Sequence, residues 1–339
     1  MNKIIDLRSD TITKPTEAMR KAIYTAEVGD DVYREDPSVN KIEEMGARIS
    51  GKEKSIFVPT GSMGNLLSLY INGGRGNEVL CAHNAHIIHH EIASVAAIAG
   101  VLPIGIPTKN GILTASDFSA NIKSKGVYDM AGTTLLEVEN TIGGAIYPLG
   151  NLKEIKELAI KRDLKVHMDG ARVFNASIAS GISVAKYASY ADTITFCLSK
   201  GLGAPMGSLL CGNTDFIDRA RTIRKMLGSG TRQIGFMAAA GIYALENNVD
   251  RLAIDHSRAK QIVNTLNECS YAKVEGKSET NIVFFSVKGF EASEIVEKLK
   301  NENILANTEG PYVRLVTNLN LDDSDILEVC ERLKKFKIN

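Results

Sequence analysis

Residues 193–203 read Thr-Ile-Thr-Phe-Cys-Leu-Ser-Lys-Gly-Leu-Gly. The first six are β-branched or apolar, as in a buried strand, and the glycines around Lys200 end it in a lean turn. Similar β-rich runs stand at Ser55–Pro59, Glu78–Cys81, Val101–Ile106, Thr133–Glu137, Lys165–Met168, Asp192–Leu198 and Ser208–Cys211. Between most of them lie segments of helical period, such as Val39–Ile49, with Ser38 as N-cap and Gly51 as stop, and Leu152–Lys161. Strands alternating with helices predict an α/β fold with a mainly parallel sheet flanked by helices. From Phe216 to about Leu266 the pattern is helical. After Tyr271 it is mixed, with strands near Ile282–Val287 and Tyr312–Val316 and helices near Ala292–Asn301 and Asp325–Phe336. The expected organisation is a large α/β domain over residues 1–245, with residues 1–15 as an N-terminal arm. A smaller C-terminal α+β domain over 246–339 completes it.

Composition excludes several classes of function. The 40 basic and 40 acidic residues cancel, so no overall field favours nucleic acid or an anionic membrane, and any anion needs a local site. The most apolar stretch, Ile92–Pro107, is broken by Gly100, Pro103 and Gly105 and falls short of a membrane span. Residues Met1–Arg8 resemble neither a secretory signal nor a transit peptide, and the expected location is the cytoplasm. Cys81, Cys197, Cys211, Cys269 and Cys330 are scattered without CxxC spacing and read as buried thiols.

Three features point to a common chemistry. Lys200 follows a buried strand and reaches the cleft at the strands' carboxyl ends, where open α/β sheets bind ligands. Burial lowers an amine's pKa, as Schiff-base formation requires, although a lone lysine in a glycine turn is more often a surface residue. Asp169 ends another predicted strand ahead of Gly170-Ala171-Arg172, where it either caps the next helix or offers a carboxylate to a pyridine nitrogen. Pro59-Thr60-Gly61-Ser62-Met63-Gly64-Asn65 leaves a strand and enters a helix. Its N-terminal amides and Ser62 suit a phosphate, or Ser62 simply caps the helix. Lysine, carboxylate and phosphate cradle together describe a site for pyridoxal 5′-phosphate (PLP).

With these segments in view, the chain resembles the low-specificity L-threonine aldolase family, enzymes of PLP fold type I. The matching segments are IDLRSDTIT from Ile5, GDDVYREDPSVN from Gly29, FVPTGSMGN from Phe57, LEVENT from Leu136, HMDGARVFNA from His167, LSKGLGAPMGSLL from Leu198, RKMLGSGTRQIG from Arg224 and VRLVTN from Val313. The resemblance implies that Lys200 binds the cofactor covalently and that Asp169 pairs with its ring nitrogen. It implies that Gly61, Ser62 and Ser199 hold the phosphate, with Lys225 and Arg232 added from a neighbouring subunit. Ser9, Arg172 and Arg314 would bind the substrate carboxylate, for which an Arg fork is apt. His86 would stack on the cofactor and serve as a candidate base. The implied reaction is retro-aldol cleavage of L-threonine or L-allo-threonine to glycine and acetaldehyde, in a homodimer or homotetramer with shared active sites.

His83, His86, His89 and His90 crowd one stretch, and His86 and His90 stand one helical turn apart. HExxH is absent and no carboxylate is evidently placed beside them, so no metal site is expected. The stretch Gly46–Lys52 imitates a phosphate loop, but Gly51 reads better as a helix stop, and no GxGxxG opens a βαβ unit. The chain departs from the family at Asp129, Ile142 and Asn318, where histidines are common, and this leaves the preferred β-hydroxy amino acid open. The alternatives are a PLP-dependent β-eliminating lyase and a non-catalytic ligand-binding protein on the same fold.

Overall fold

A computed structural model describes residues 3–337. Seven strands form one sheet in the order Lys54–Val58, Ser208–Gly212, Thr193–Cys197, Lys165–Asp169, Thr133–Glu139, Glu78–Ala82, Leu102–Ile106. Neighbours are parallel except at Ser208–Gly212, which runs against both of its partners. Each predicted strand is present, with its ends within two residues of the sequence reading. The chain crosses outward from Glu78–Ala82 to the edge strand Leu102–Ile106. From Thr133–Glu139 it crosses the other way, to Lys165–Asp169. The crevice at the carboxyl ends of this sheet therefore opens between Ala82 and Glu139, the switch point where α/β sheets take their ligands.

Helix ends show where local reading holds and where it yields. The helix Pro37–Ser50 stops at Gly51, whose φ of 66° is the left-handed conformation expected of a C-terminal glycine. Its cap is Asp36, not Ser38. Pro37 has no N–H to satisfy and takes the first helical position, so the cap falls one residue earlier. Asp36 accepts from Val39 N at 3.1 Å and also from Gly29 N and Gly235 N, whereas the Ser38 hydroxyl donates to Glu27 O. The helix Gly61–Ser68 is likewise capped by Thr60, which accepts from Met63 N, so Ser62 lies inside the first turn. This helix sits close on the sheet because Gly64 has no side chain. A Cβ there would stand 2.6 Å from Thr195.

The C-terminal part carries a four-stranded antiparallel sheet in the order Asn307–Glu309, Tyr312–Val316, Ile282–Val287, Ala272–Glu275. The last helix begins at Asp323, two residues before the expected start, because Asp322 and Asp325 form a capping box. Phe285, Ile295, Leu315 and Ile326 form its core together with Ile5 and Leu7 of the N-terminal arm. The arm pairs Ile5–Asp6 with Ile304–Leu305 in parallel, and Leu7 O accepts from Val316 N. The segment leading into Ser9 and Asp10 is thereby fixed. Cys81, Cys197, Cys211 and Cys269 are buried free thiols, while Cys330 is half-buried. Among the described residues no helix is long and apolar enough to cross a membrane.

Candidate active site

Asp169 closes its strand as a buried carboxylate. Oδ1 accepts from Ala171 N at 2.9 Å, so it does cap the next turn, and Oδ2 accepts from Asn65 Nδ2 at 2.7 Å. Burial alone would raise its pKa. The charges of Lys200 and His86, with the Asn65 and Ala171 hydrogen bonds, outweigh burial and hold the carboxyl below the usual range. A buried anion prepared in this way suits a cationic partner.

Asn65 comes from the helix packed over the sheet and had no signal in the sequence. Its Nδ2 donates to Glu91 Oε1 at 2.9 Å as well as to Asp169. Its Oδ1 must therefore accept from His167 Nε2, 3.0 Å away. His167 Nδ1 then accepts from Thr193 Oγ1 at 2.9 Å, and Thr193 from Ser68. Burial pushes His167 down to about 4, so it is a neutral brace behind Asp169.

His86 opens a short helix at the mouth of the crevice. Its backbone N–H donates to the Glu139 carboxylate, and its Nδ1 lies 2.9 Å from Glu91 Oε1. Burial, with the Asp169 charge beside it, pushes Glu139 up to about 8. The expectation that no carboxylate stands near the histidines is thus corrected. His86, Glu91 and Asp169 offer ligand atoms within 4.8 Å of one another. A metal ion there would have to displace the amide that Asn65 donates to both carboxylates. Neither Glu91 nor Glu139 stood out in the sequence.

Lys200 is half-buried just past its strand. Its carbonyl accepts from Thr13 Oγ1 at 3.1 Å and Gly203 N at 2.9 Å, which holds the turn. Among the described residues its Nζ has no partner at salt-bridge distance, yet its charge acts on Asp10, Glu139 and Asp169. Beside it, Gly61 and Ser62 form the first turn of their helix. A Cβ on Gly61 would lie 2.8 Å from Cys197 Sγ, so only glycine leaves this cradle open. The buried Ser208 Oγ, 3.8 Å from the same point, has no hydrogen-bond partner among the described residues. Free helix amides and an unpartnered hydroxyl suit a phosphate.

The two arginines face this cleft differently. Arg172 grips both oxygens of Asp10, Nε at 2.8 Å and Nη2 at 2.6 Å, and Asn281 Nδ2 adds a third bond to Asp10. Burial would raise Asp10, but Arg172 and Lys200 hold it far below the carboxylate range. Arg314, from Tyr312–Val316, pairs with Glu309 at 3.3 Å, and its Nε makes no hydrogen bond among the described residues. Burial and the positive charge of Arg172 pull its pKa down. An anion bound beside these guanidiniums would relieve Arg314, while Asp10 already holds Arg172 in place. Ser9 Oγ accepts from Thr11 N and lies next to Asp10. Lys225 and Arg232 do not join this cluster within the chain. Lys225 is exposed, and Arg232 pairs with Asp30 at 2.9 Å beside Tyr33.

The model of the beta-eliminating lyase family matches residues 6–289. The low specificity L-threonine aldolase of Escherichia coli K12 is 42% identical over 334 residues, covering 98% of this chain and 99% of that protein. The probable low-specificity L-threonine aldolase 2 of Arabidopsis thaliana is 39% identical, covering 98% and 97%. The chain belongs to the low-specificity L-threonine aldolase family. A Leishmania major threonine aldolase has the same fold, with a TM-score of 0.85 at 19% identity over 98% of this chain and 99% of that one.

Within the family pattern, the three departures sit in different surroundings. Asp129 is exposed on a loop. Ile142 is buried against Gly111, where a Cβ would approach it to 2.3 Å. Asn318 is buried and holds its turn by accepting from Asn320 N at 3.1 Å. The last two side chains pack or brace the fold.

Proposed function

We propose that this chain is a PLP-dependent lyase that cleaves L-threonine and L-allo-threonine to glycine and acetaldehyde. The observation that carries this reading is the buried, ionised Asp169 beside Lys200 and the Arg172–Arg314 pair. The residues fit the cofactor. Lys200 would hold it covalently, Asp169 its ring nitrogen, and Gly61, Ser62 and Ser199 its phosphate, with Ser208 as a further donor. When bound, the cofactor supplies an electron sink for the bond broken at Cα.

The chain's own residues do the rest. Arg172, Arg314 and Ser9 bind the substrate carboxylate and so orient the Cα–Cβ bond for cleavage. His86 takes the β-hydroxyl proton. The O–H electron pair becomes the second bond of the departing aldehyde, the Cα–Cβ pair stays with the Cα side, and a proton added at Cα gives glycine. Asp10 fixes the Arg172 fork. An Asp10→Asn variant is expected to raise KM for L-threonine about tenfold, with a smaller change in kcat, because it loses a charge-assisted bidentate pair. Steady-state kinetics read this directly.

We read the working form as a cytoplasmic homodimer or homotetramer in which Lys225 and Arg232 serve a neighbouring copy's phosphate site. Their exposure beside Tyr33 and Met226 supports this. Residues 1–245 are read as the cofactor domain and 246–339 as the smaller domain. The test is product analysis of the holoenzyme with L-threonine, L-allo-threonine and L-serine. Acetaldehyde and glycine from the first two support the proposal. Pyruvate and ammonia from serine, without acetaldehyde from either threonine, would overturn it in favour of β-elimination.

A further inference from the structure

Glu91 has a costly position. Its side chain is fully buried, and Oε2 has no hydrogen-bond partner among the described residues. Oε1 accepts from both His86 Nδ1 and Asn65 Nδ2. The two residues that follow Glu91 are both left-handed, Ile92 at φ 51° and Ala93 at φ 55°. Neither is glycine, and Ile92 is β-branched and 96% exposed. Such a conformation is strained and gains Ile92 no packing. It turns the chain directly after Glu91, between the helix His86–His89 and the segment Val95–Ala99.

We infer that Glu91 is a positioning residue for His86. It accepts the Nδ1 proton, fixes the ring's plane and tautomer, and leaves Nε2 as the lone pair directed at the reacting hydroxyl. The same logic governs carboxylate–imidazole pairs generally. The carboxylate chooses which nitrogen carries the proton and stabilises the imidazolium that forms when the other nitrogen takes one. Asn65 extends the arrangement. One amide group spans Glu91 and Asp169, so the carboxylate that orients the base and the carboxylate for the cofactor nitrogen are set by a single side chain.

His86 is faced by Glu91, Asp169 and Glu139 as acidic groups, and by Lys200 and His90 as basic ones, with the His90 ring centroid at 5.3 Å. Burial lowers its proton affinity, but the Glu91 hydrogen bond and the Asp169 and Glu91 charges more than restore it, and the net direction is upward. Removing the Glu91 charge should therefore lower the His86 pKa. A base must be unprotonated to act, so the acid limb of the kcat profile should move to lower pH while kcat itself falls.

This inference rests on the aldolase reading for its kinetic arm only. The test compares the PLP-loaded wild type with Glu91→Gln, using nitrogen NMR of labelled histidine, with His86→Asn to assign the signal. In the wild type the neutral ring should carry its proton on Nδ1. In Glu91→Gln the His86 midpoint should drop by roughly one pH unit, and kcat for L-threonine by about tenfold, with KM within about twofold. Glu91→Asp keeps the charge and should hold the midpoint nearer the wild type, which a merely structural role would not produce. An Nε2-protonated ring in the wild type, or an unmoved midpoint and acid limb in Glu91→Gln, overturns the inference. If the wild type cleaves neither threonine, the aldolase reading falls while the NMR arm still decides on Glu91, even should Glu91→Gln fold poorly.

Discussion

A Lys200→Ala variant is expected to lose threonine cleavage by on the order of 10³-fold or more in kcat, with loss of the absorbance band of lysine-linked PLP. The size of the effect follows from what surrounds the amine. Lys200 is the cation whose charge reaches Asp10, Glu139 and Asp169 together, yet among the described residues no salt bridge ties its Nζ down. An amine held near three acids but unpaired is available for covalent chemistry. A structural lysine would be locked into one of those acids. The turn itself is fixed through the Lys200 carbonyl by Thr13 and Gly203, so alanine removes the amine without undoing the backbone. Added methylamine should restore part of the rate, because a small amine can occupy the space left by the side chain. Lys200→Arg should not be rescued, since it keeps the charge but fills that space. Full activity in Lys200→Ala would remove the residue from the chemistry altogether.

What the sequence disclosed, and what it withheld, divide along physical lines. The strands were legible because a sheet buried on both faces needs continuous apolar runs, such as Thr193–Cys197, where every residue is buried. Lys200 and Asp169 were legible because each follows such a run. The cap at Ser38 was misread because Pro37 takes the first helical position and because the choice of cap was in part not local. Asp36 is selected partly by Gly235, which lies 199 residues further along the chain. The supporting network was invisible for the same reason. Asn65 meets Asp169 across 104 residues and His167 across 102, and an asparagine in a helix carries no mark of that role. Glu91 was hidden differently. The turn that follows it is made by Ile92 and Ala93 at positive φ, where sequence reasoning looks for glycine, and nothing in the sequence marks its pairing with His86 and Asn65.

Asp169→Asn is expected to keep the fold and lose catalysis, with kcat down on the order of 10²-fold or more. Asparagine preserves the shape of the side chain but has one acceptor and one donor where aspartate has two acceptors. Both protein partners of Asp169, Ala171 N and Asn65 Nδ2, are donors, so one of them must lose its bond. That mismatch costs about 1–3 kcal/mol of stability, and thermal unfolding should register it as a modest drop. The catalytic loss is larger because a neutral amide cannot hold a proton on the cofactor nitrogen. The electrostatics of the site shift as well. The Asp169 charge helps push Glu139 up to about 8 and helps raise His86, so both should fall in the variant. Glu139 then ionises more fully at neutral pH, and the acid limb of the kcat profile moves to lower pH even as the maximum falls. The three readouts separate the possible roles. A residue that only capped the Gly170–Arg172 turn would show the stability loss and the shifted limb with kcat largely kept, whereas the partner of the ring nitrogen shows the collapsed kcat as well. Wild-type turnover in a folded, PLP-loaded Asp169→Asn enzyme would therefore return Asp169 to the role of a cap.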